Sequence, residues 1–301
     1  MHFFTDDSLI ILVSAPNAVE PGIYRWKRDV GAPTKLCSIA SPTSFSFDRK
    51  TIIERVPGAV TELRLYSPST CRLRDRITIN GRVLDTEARG NLIAVALRTS
   101  DTTNELRVYG TPAKRVKSGR EFARAEIGRN VELGFAPDGR SIVNFDLDDS
   151  GATAWRVPSL ASIKLPMWVS EGETTFVPGS TFVKRYVQDS LSVARWPNGT
   201  SAYTIAAAQT VRLRQLSTTG RYGALHSIDS LAPSDQTLAW IDFATQTREQ
   251  LATGSIDNAA INAMGNRVAW LRRSNEYPDL VNLRFAQINA SGNGFSSNSV
   301  K

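Results

Sequence analysis

One sequence motif recurs along the chain: an apolar run, a tight polar turn, a second apolar run, and then a strand that ends in an aromatic or bulky residue. The clearest copy is residues 133–143, where Asp138-Gly139 separates two apolar runs. Asp-Gly between apolar runs is a strong hairpin signal. The central turn residues of the seven copies are Asp7, Arg49, Gly90, Gly139, Gly179, Gly220 and Gly265. Their spacing of 40 to 49 residues indicates an array of repeated units.

Each turn is followed by a third strand in which apolar and polar residues alternate, as in a half-buried strand. These third strands are predicted at residues 24–26, 63–66, 106–109, 154–157, 191–196, 238–243 and 283–288. After most of them comes a turn rich in Pro, Ser, Asn, Gly and Thr, and then a short closing strand. A four-stranded unit of this size buries both of its faces only by stacking on its neighbours.

The sequence therefore predicts an all-β fold, a seven-bladed β-propeller of four-stranded antiparallel blades in a single domain, residues 1–301. The predicted blades are residues 1–40, 41–79, 80–122, 123–166, 167–206, 207–254 and 255–301. Residues 290–301, rich in Ser, Asn and Gly, form either a frayed tail or a loose final strand.

The motif Phe135-Ala136-Pro137-Asp138-Gly139, with a strand after it, resembles the repeat of TolB-type and other WD-repeat-like propellers. The resemblance extends over nearly the whole chain. The copies at residues 85–91 and 177–180 lack the Asp-Gly pair, and the chain has no Trp-Asp dipeptide. Such propellers include translocation-associated scaffolds and peptidase gating domains, so the resemblance implies an architecture and leaves the activity open.

Bulk properties fit one globular domain. Hydrophobic residues make up 41% of the 301 residues, and no apolar run approaches the roughly 20 residues that a membrane helix needs. We therefore expect no membrane insertion, and a monomer. The first turn, at Asp6-Asp7, leaves a short innermost strand, which favours a leader removed upstream and an extracytoplasmic location over a cytoplasmic one.

Two cysteines, Cys37 and Cys71, fall in or beside predicted fourth strands of blades one and two. Outer strands of neighbouring blades diverge, and a disulfide needs Cα atoms within about 7 Å. The expectation is two free thiols.

The formal net charge is +7, with 28 Arg against 8 Lys. Such an excess favours an acidic partner electrostatically. The arginines are spread over many strands instead of forming a dense basic arm, so the expected partner is a protein and not nucleic acid. The plainer interpretation is a solvated surface.

The densest basic segment contains Lys114, Arg115, Lys117, Arg120 and Arg124, in the longest interval between turns. It is interpreted as a protruding binding loop, or as charge that protects a blade edge from strand pairing. A smaller cluster, Arg72, Arg74, Arg76 and Arg82, alternates along the fourth strand of blade two and into the next connection, and its plainer interpretation is a set of outer-strand arginines that face water.

Arg212 and Arg214 precede the Gly220 turn on a predicted innermost strand, where they either line the channel and hold an anion or pair with neighbouring acids. Asp146, Asp148 and Ser150, followed by Gly151, resemble the start of a calcium loop. Position twelve of that pattern is Val157 instead of Glu, so a polar turn explains the segment as well. No other cofactor is expected.

Catalytic signatures are sparse. The only histidines are His2 and His226, and His226 is interpreted as a structural or face-exposed residue on a second strand and not as a catalytic base. The chain has no Gly-x-Ser-x-Gly elbow, no Cys-x-x-Cys pair and no phosphate-binding glycine loop. The leading hypothesis is a non-enzymatic propeller that binds a protein, as an envelope scaffold or a toxin-neutralising binder. The alternative is a lyase or hydrolase that acts on an anionic glycan or small molecule held by arginines.

Overall fold

A computed structural model describes most of the chain. The described residues are 1–5, 7–13, 21–27, 32–39, 44–48, 51–101, 103–110, 121–128, 131–146, 152–165, 167–169, 173–176, 180–207, 211–228, 235–273, 281–288 and 295–300.

Nearly every element in these ranges is a β-strand. In the first half of the chain the strands are β1 (His2–Thr5), β2 (Ser8–Val13), β3 (Gly22–Lys27), β4 (Thr34–Ser38), β5 (Ser44–Asp48), β6 (Thr51–Val56), β7 (Thr61–Tyr66), β8 (Leu73–Ile79), β9 (Arg82–Arg89), β10 (Leu92–Arg98), β11 (Asn104–Gly110), β12 (Glu121–Ile127), β13 (Val131–Phe135), β14 (Ser141–Asp146), β15 (Ala152–Arg156) and β16 (Ala161–Ile163). In the second half they are β17 (Glu173–Phe176), β18 (Phe182–Val187), β19 (Ser190–Arg195), β20 (Ser201–Ala206), β21 (Val211–Leu216), β22 (Tyr222–Ile228), β23 (Gln236–Asp242), β24 (Thr247–Thr253), β25 (Ile256–Ile261), β26 (Arg267–Arg273), β27 (Val281–Ile288) and β28 (Phe295–Val300). One 3-10 helix, Met167–Val169, lies before β17.

The strands form seven four-stranded sheets, each built from four consecutive strands in sequence order. Sheet one is β1 to β4, sheet two is β5 to β8, and the series continues to sheet seven, β25 to β28. This is the seven-bladed β-propeller class that the sequence predicts, and each sheet is one blade. The described residues include no helix long and apolar enough to cross a membrane.

Hairpin turns connect the first and second strands of the blades, as the repeat predicts. The turn residues Gly90, Gly139, Gly220 and Gly265 all have positive φ. At Gly265 (φ 83°) a Cβ atom would also lie 2.3 Å from the ring of Tyr222. Only glycine fits both the left-handed backbone and this close approach. Arg49 and Gly179 lie outside the described residues.

The predicted third strands are also confirmed: residues 106–109 belong to β11, 191–195 to β19 and 238–242 to β23. Of the two alternatives for the tail, the structure shows the final strand. β28 pairs with β27 along its length, from Leu283 opposite Val300 to Ile288 opposite Phe295.

The buried side chains of these strands form the hydrophobic core between the blades. On β10, Ile93, Val95 and Leu97 pack against residues of blade two, whereas Ala94 and Ala96 pack towards blade four. All five residues are fully buried. Successive side chains of a strand point to opposite faces, so a strand covered on both faces is apolar throughout.

The chain forms two compact units. One comprises Met1–Ile11, Arg25–Thr34 and Gly179–Lys301, and its core contains Leu238, Trp240 and Ile256. The other comprises Leu12–Tyr24 and Lys35–Pro178, and its core is built around blades two, three and four.

The expectation of two free thiols is wrong. Cys37 and Cys71 form a disulfide whose Cα atoms lie 6.0 Å apart. Cys37 is on β4, but Cys71 lies in the turn between β7 and β8, with a φ of 53°. This turn, closed by a bond from the backbone N of Cys71 to the carbonyl of Ser67 (2.8 Å), brings Cys71 into bridging distance.

Candidate functional site: a basic edge and an arginine pair

Five exposed arginines lie in two neighbouring blades, four of them on or beside an outer strand and one at the start of a first strand, and we call them the basic edge. They are Arg72, Arg74 and Arg76 on or beside β8, Arg82 at the start of β9, and Arg124 on β12. An outermost strand has one free side, and charged residues keep it in solvent. The sequence predicted that Arg72, Arg74, Arg76 and Arg82 alternate along the fourth strand of blade two and into the next connection. Arg74 and Arg76 are on β8, whereas Arg72 lies in the turn before it and Arg82 begins β9 of blade three.

Arg124 is the member of the basic loop prediction that the structure describes. Its Nη2 donates to Glu121 Oε1 (2.8 Å), and its side chain is 60% exposed. Lys114, Arg115, Lys117 and Arg120 lie outside the described residues, so their role as a binding loop remains a prediction.

An exposed aromatic residue accompanies Arg124 and was missed at the sequence level. Phe122 on β12 is 38% exposed, one of three large apolar residues that stand out in the described chain. It shares the outward phase of β12 with Arg124 and Glu126, whereas Ala123 and Ala125 pack inwards. The alternation Phe-Ala-Arg-Ala was the available signal.

A repeated five-residue motif, Glu-Leu-Arg-apolar-Tyr, lies on the strand next to each of these outer strands. In blade two, Arg64 Nε donates to Glu62 Oε1 (2.5 Å), and Arg76 approaches the same oxygen at 3.8 Å. The bond from Arg64 holds the pKa of Glu62 below its usual range. In blade three, Arg107 donates to Glu105 from Nε (2.9 Å) and Nη2 (2.7 Å).

A buried carboxylate completes the network in blade two. Tyr66 donates from its hydroxyl to Oε2 of the fully buried Glu54 (2.7 Å), and Arg64 lies 3.7 Å from the same oxygen. Burial, together with the bond to Glu54, raises the pKa of Tyr66 to about 12. These carboxylates are bound by tyrosine and arginine side chains of their own blade, which identifies the network as structural.

The second group is the arginine pair, Arg212 and Arg214, on β21. β21 is the first strand of blade six and forms one edge of its sheet. Both residues are exposed, and Leu213 between them is buried. Arg212 stacks over the ring of Tyr186, 5.3 Å from its centroid.

Arg214 is bound to a histidine. It donates from Nε (2.9 Å) and Nη2 (2.6 Å) to Nδ1 of His226, a buried residue of β22. Since a guanidinium only donates, Nδ1 accepts, and the neutral imidazole carries its proton on Nε2. That Nε2 donates to Gln236 Oε1 (2.9 Å), which also accepts the backbone N–H of Ile256 (2.9 Å). His226 is buried and bonded through both ring nitrogens, which favours the structural interpretation over the face-exposed one.

The environment of His226 disfavours its charged form. Burial lowers the pKa of His226, and the charge of Arg214 lowers it further, whereas the bond to Gln236 acts in the opposite direction.

The predicted calcium loop is not described. Asp146 is the last residue of β14, and Asp148 and Ser150 lie outside the described residues. Elsewhere in the described ranges, no three His, Cys, Asp or Glu residues come together as a metal site. A calcium site at Asp146, Asp148 and Ser150 remains a prediction.

The fold defines the chain as a seven-bladed β-propeller, and comparisons with solved structures agree. Hsv2 of Kluyveromyces lactis superposes with a TM-score of 0.59 at 12% identity, covering 100% of this chain and 96% of that one. A putative 6-phosphogluconolactonase of Bacteroides uniformis gives 0.61 at 14% identity, covering 98% and 96%. A chain of the mitotic checkpoint complex gives 0.58 at 10% identity, covering 96% and 89%. No protein-family model and no curated protein matches the sequence. At these identities the likeness is one of fold.

Proposed function

We propose that this propeller is a non-enzymatic binding module that presents its basic edge to an acidic protein partner. The observation that carries the proposal is the exposure of all five arginines of the basic edge on two adjacent blades. Arg124 contacts Glu121 at 2.8 Å and Arg76 contacts Glu62 at 3.8 Å, and both arginines still keep about 60% of the side chain exposed.

The composition of this surface suits protein recognition. Arginine and aromatic residues are enriched among the residues that dominate binding energy in protein interfaces, and Phe122 supplies an exposed ring next to Arg124. Arg64 pairs with Glu62 and Arg107 pairs with Glu105 on the strands next to the outer ones. These ion pairs stiffen the two blades that carry the basic edge. A rigid platform reduces the entropy lost on binding.

The disulfide supports an extracytoplasmic setting, because such bonds persist in oxidising compartments. The disulfide and the Phe135–Gly139 motif together favour a TolB-type propeller that acts as an envelope scaffold or as a toxin-neutralising binder. A chain of the mitotic checkpoint complex with the same fold is a precedent for a propeller within a protein assembly.

The test is affinity capture from the native lysate with a matched pair of variants. The basic-edge variant is R72Q/R74Q/R76Q/R124Q. The control removes the same charge from exposed arginines of other strands and turns, as R140Q/R156Q/R195Q/R248Q. We expect one stoichiometric protein to be retained by the wild type and by the control, and lost from the basic-edge variant. Equal retention by both variants, or an empty capture, would contradict the proposal.

An enzyme is the second candidate. Two observations favour it: solved putative 6-phosphogluconolactonases share the fold, and the arginine pair is exposed on the first strand of blade six. The site would act on an anionic glycan or small molecule. Substrate turnover by the wild type that is lost in R214Q and retained in the basic-edge variant would favour the enzyme.

A further inference from the structure

We propose that Arg212 and Arg214 form a binding site for an oxyanion group, a phosphate or a carboxylate, carried by a small ligand. This site goes beyond the proposed protein binding, because it uses the first strand of blade six and shares no residue with the basic edge.

A bulge in β21 creates the pair. The register with β22 shifts between Leu213 and Gln215, so that Arg214 is the extra residue, while Arg212 lies opposite His226. A bulge re-aims a side chain, and such irregularities are frequent next to functional sites. Here the bulge brings Arg214 to the imidazole of His226, the residue that lies opposite Arg212 on β22.

The imidazole holds Arg214 in a fixed orientation with its charge intact. Both bonds end on one acceptor, Nδ1 of His226, and use the Nε side of the guanidinium. Within the described residues, no hydrogen-bond partner meets the edge formed by Nη1 and the second hydrogen of Nη2. That edge matches the two oxygens of a carboxylate or phosphate in a bidentate pair.

Arg214 differs in this respect from the arginines that form ion pairs. Arg107, Arg124 and Arg221 each donate to a carboxylate, with shortest bonds of 2.6 to 2.8 Å. In the described part of the chain the hydrogen bonds of Arg214 go to a neutral ring instead. A preorganised cation whose contacts do not cancel its charge is suited to an anion.

Blade five adds charge and rigidity at the same place. Lys184 Nζ donates to the carbonyl of Leu213 (3.0 Å), and the backbone N of Leu213 donates to the hydroxyl of Tyr186. Both backbone groups of Leu213 thus bond to side chains of β18. Tyr186 in turn carries the guanidinium of Arg212 on its ring. A third cation, Lys184, therefore lies at the same stretch of β21.

The experiment is calorimetric titration of the full chain with inorganic phosphate and, separately, with citrate, at constant ionic strength in chloride. The variants are R214Q, R212Q and R214K, and R156Q is the matched control because Arg156 is an exposed arginine on another strand. Circular dichroism checks that each variant is folded. If R214Q does not fold, R212Q carries the test.

We expect phosphate or citrate to bind the wild type and R156Q with equal Kd, and R214Q and R212Q to bind about tenfold more weakly, as expected for loss of one charge-assisted bond. R214K keeps the charge without the fork, and we expect its affinity to fall as well. Tighter binding of phosphate or of citrate identifies which oxyanion the site prefers. No binding of either anion by the wild type, or equal Kd in all variants, would overturn the proposal. Capture by the basic edge is unaffected by this outcome.

Discussion

Removing the disulfide between Cys37 and Cys71 should destabilise the protein substantially. The cysteines are 34 residues apart in sequence, and the bond closes that segment in the unfolded chain. The chain-entropy relation for a loop of this length gives about 4 kcal/mol of stabilisation at 25 °C. For a chain of this size that corresponds to a melting temperature lower by about 6 to 8 °C.

The measurement is urea unfolding of protein produced in an oxidising compartment, compared with the C37S/C71S variant. The variant should unfold at lower urea, and reductant should lower the midpoint of the wild type without changing that of the variant. Thiol titration of the native wild type should detect no reactive thiol. Two titratable thiols in the native protein, or identical midpoints, would refute the reasoning.

Three further predictions concern the core, the tail and His226. Leu238→Ala should lower the free energy of unfolding by about 2 to 5 kcal/mol, because Leu238 is fully buried between blades six and seven; urea unfolding measures this. A chain truncated after residue 289 should melt at a lower temperature, since β28 pairs along β27; an unchanged midpoint in a thermal scan would contradict a closing role for β28. The free energy of unfolding should decrease as pH falls below about 6.5, because the unfolded state, with an ordinary His226 pKa, takes up its proton before the folded state does. Urea unfolding between pH 5 and 8 measures this decrease, and H226Q should lose that part of the pH dependence; parallel pH profiles would contradict it.

The repeat predicted the blades because each local signal agrees with the fold. Asp138-Gly139 forms the turn between β13 and β14, and the alternation at residues 238–243 places Leu238 and Trp240 in the core. Such signals depend only on neighbours in sequence and on strand periodicity. They also placed Arg212 and Arg214 on the first strand of a blade.

The partners of those residues depend on register and turn geometry, which the sequence pattern leaves open. The bond from Arg214 to His226 requires the bulge between Leu213 and Gln215. The disulfide requires the left-handed backbone of Cys71 in its turn. Likewise, Asp85 Oδ2 accepts the backbone N–H of Leu133 (2.8 Å), 48 residues away. No spacing rule connects such residues before the blades are packed.

The central claim is that the basic edge binds an acidic protein, and salt-dependent association kinetics test it most directly. The association rate of the captured partner is measured from low to moderate salt for the wild type, the basic-edge variant and the charge-matched control. Exposed charges steer association, and salt screens them over about 8 Å at physiological ionic strength. The account predicts a steep decrease in rate with salt for the wild type and the control, and a slower, nearly salt-independent rate for R72Q/R74Q/R76Q/R124Q. Equal rates and equal salt dependence in all three proteins would contradict it.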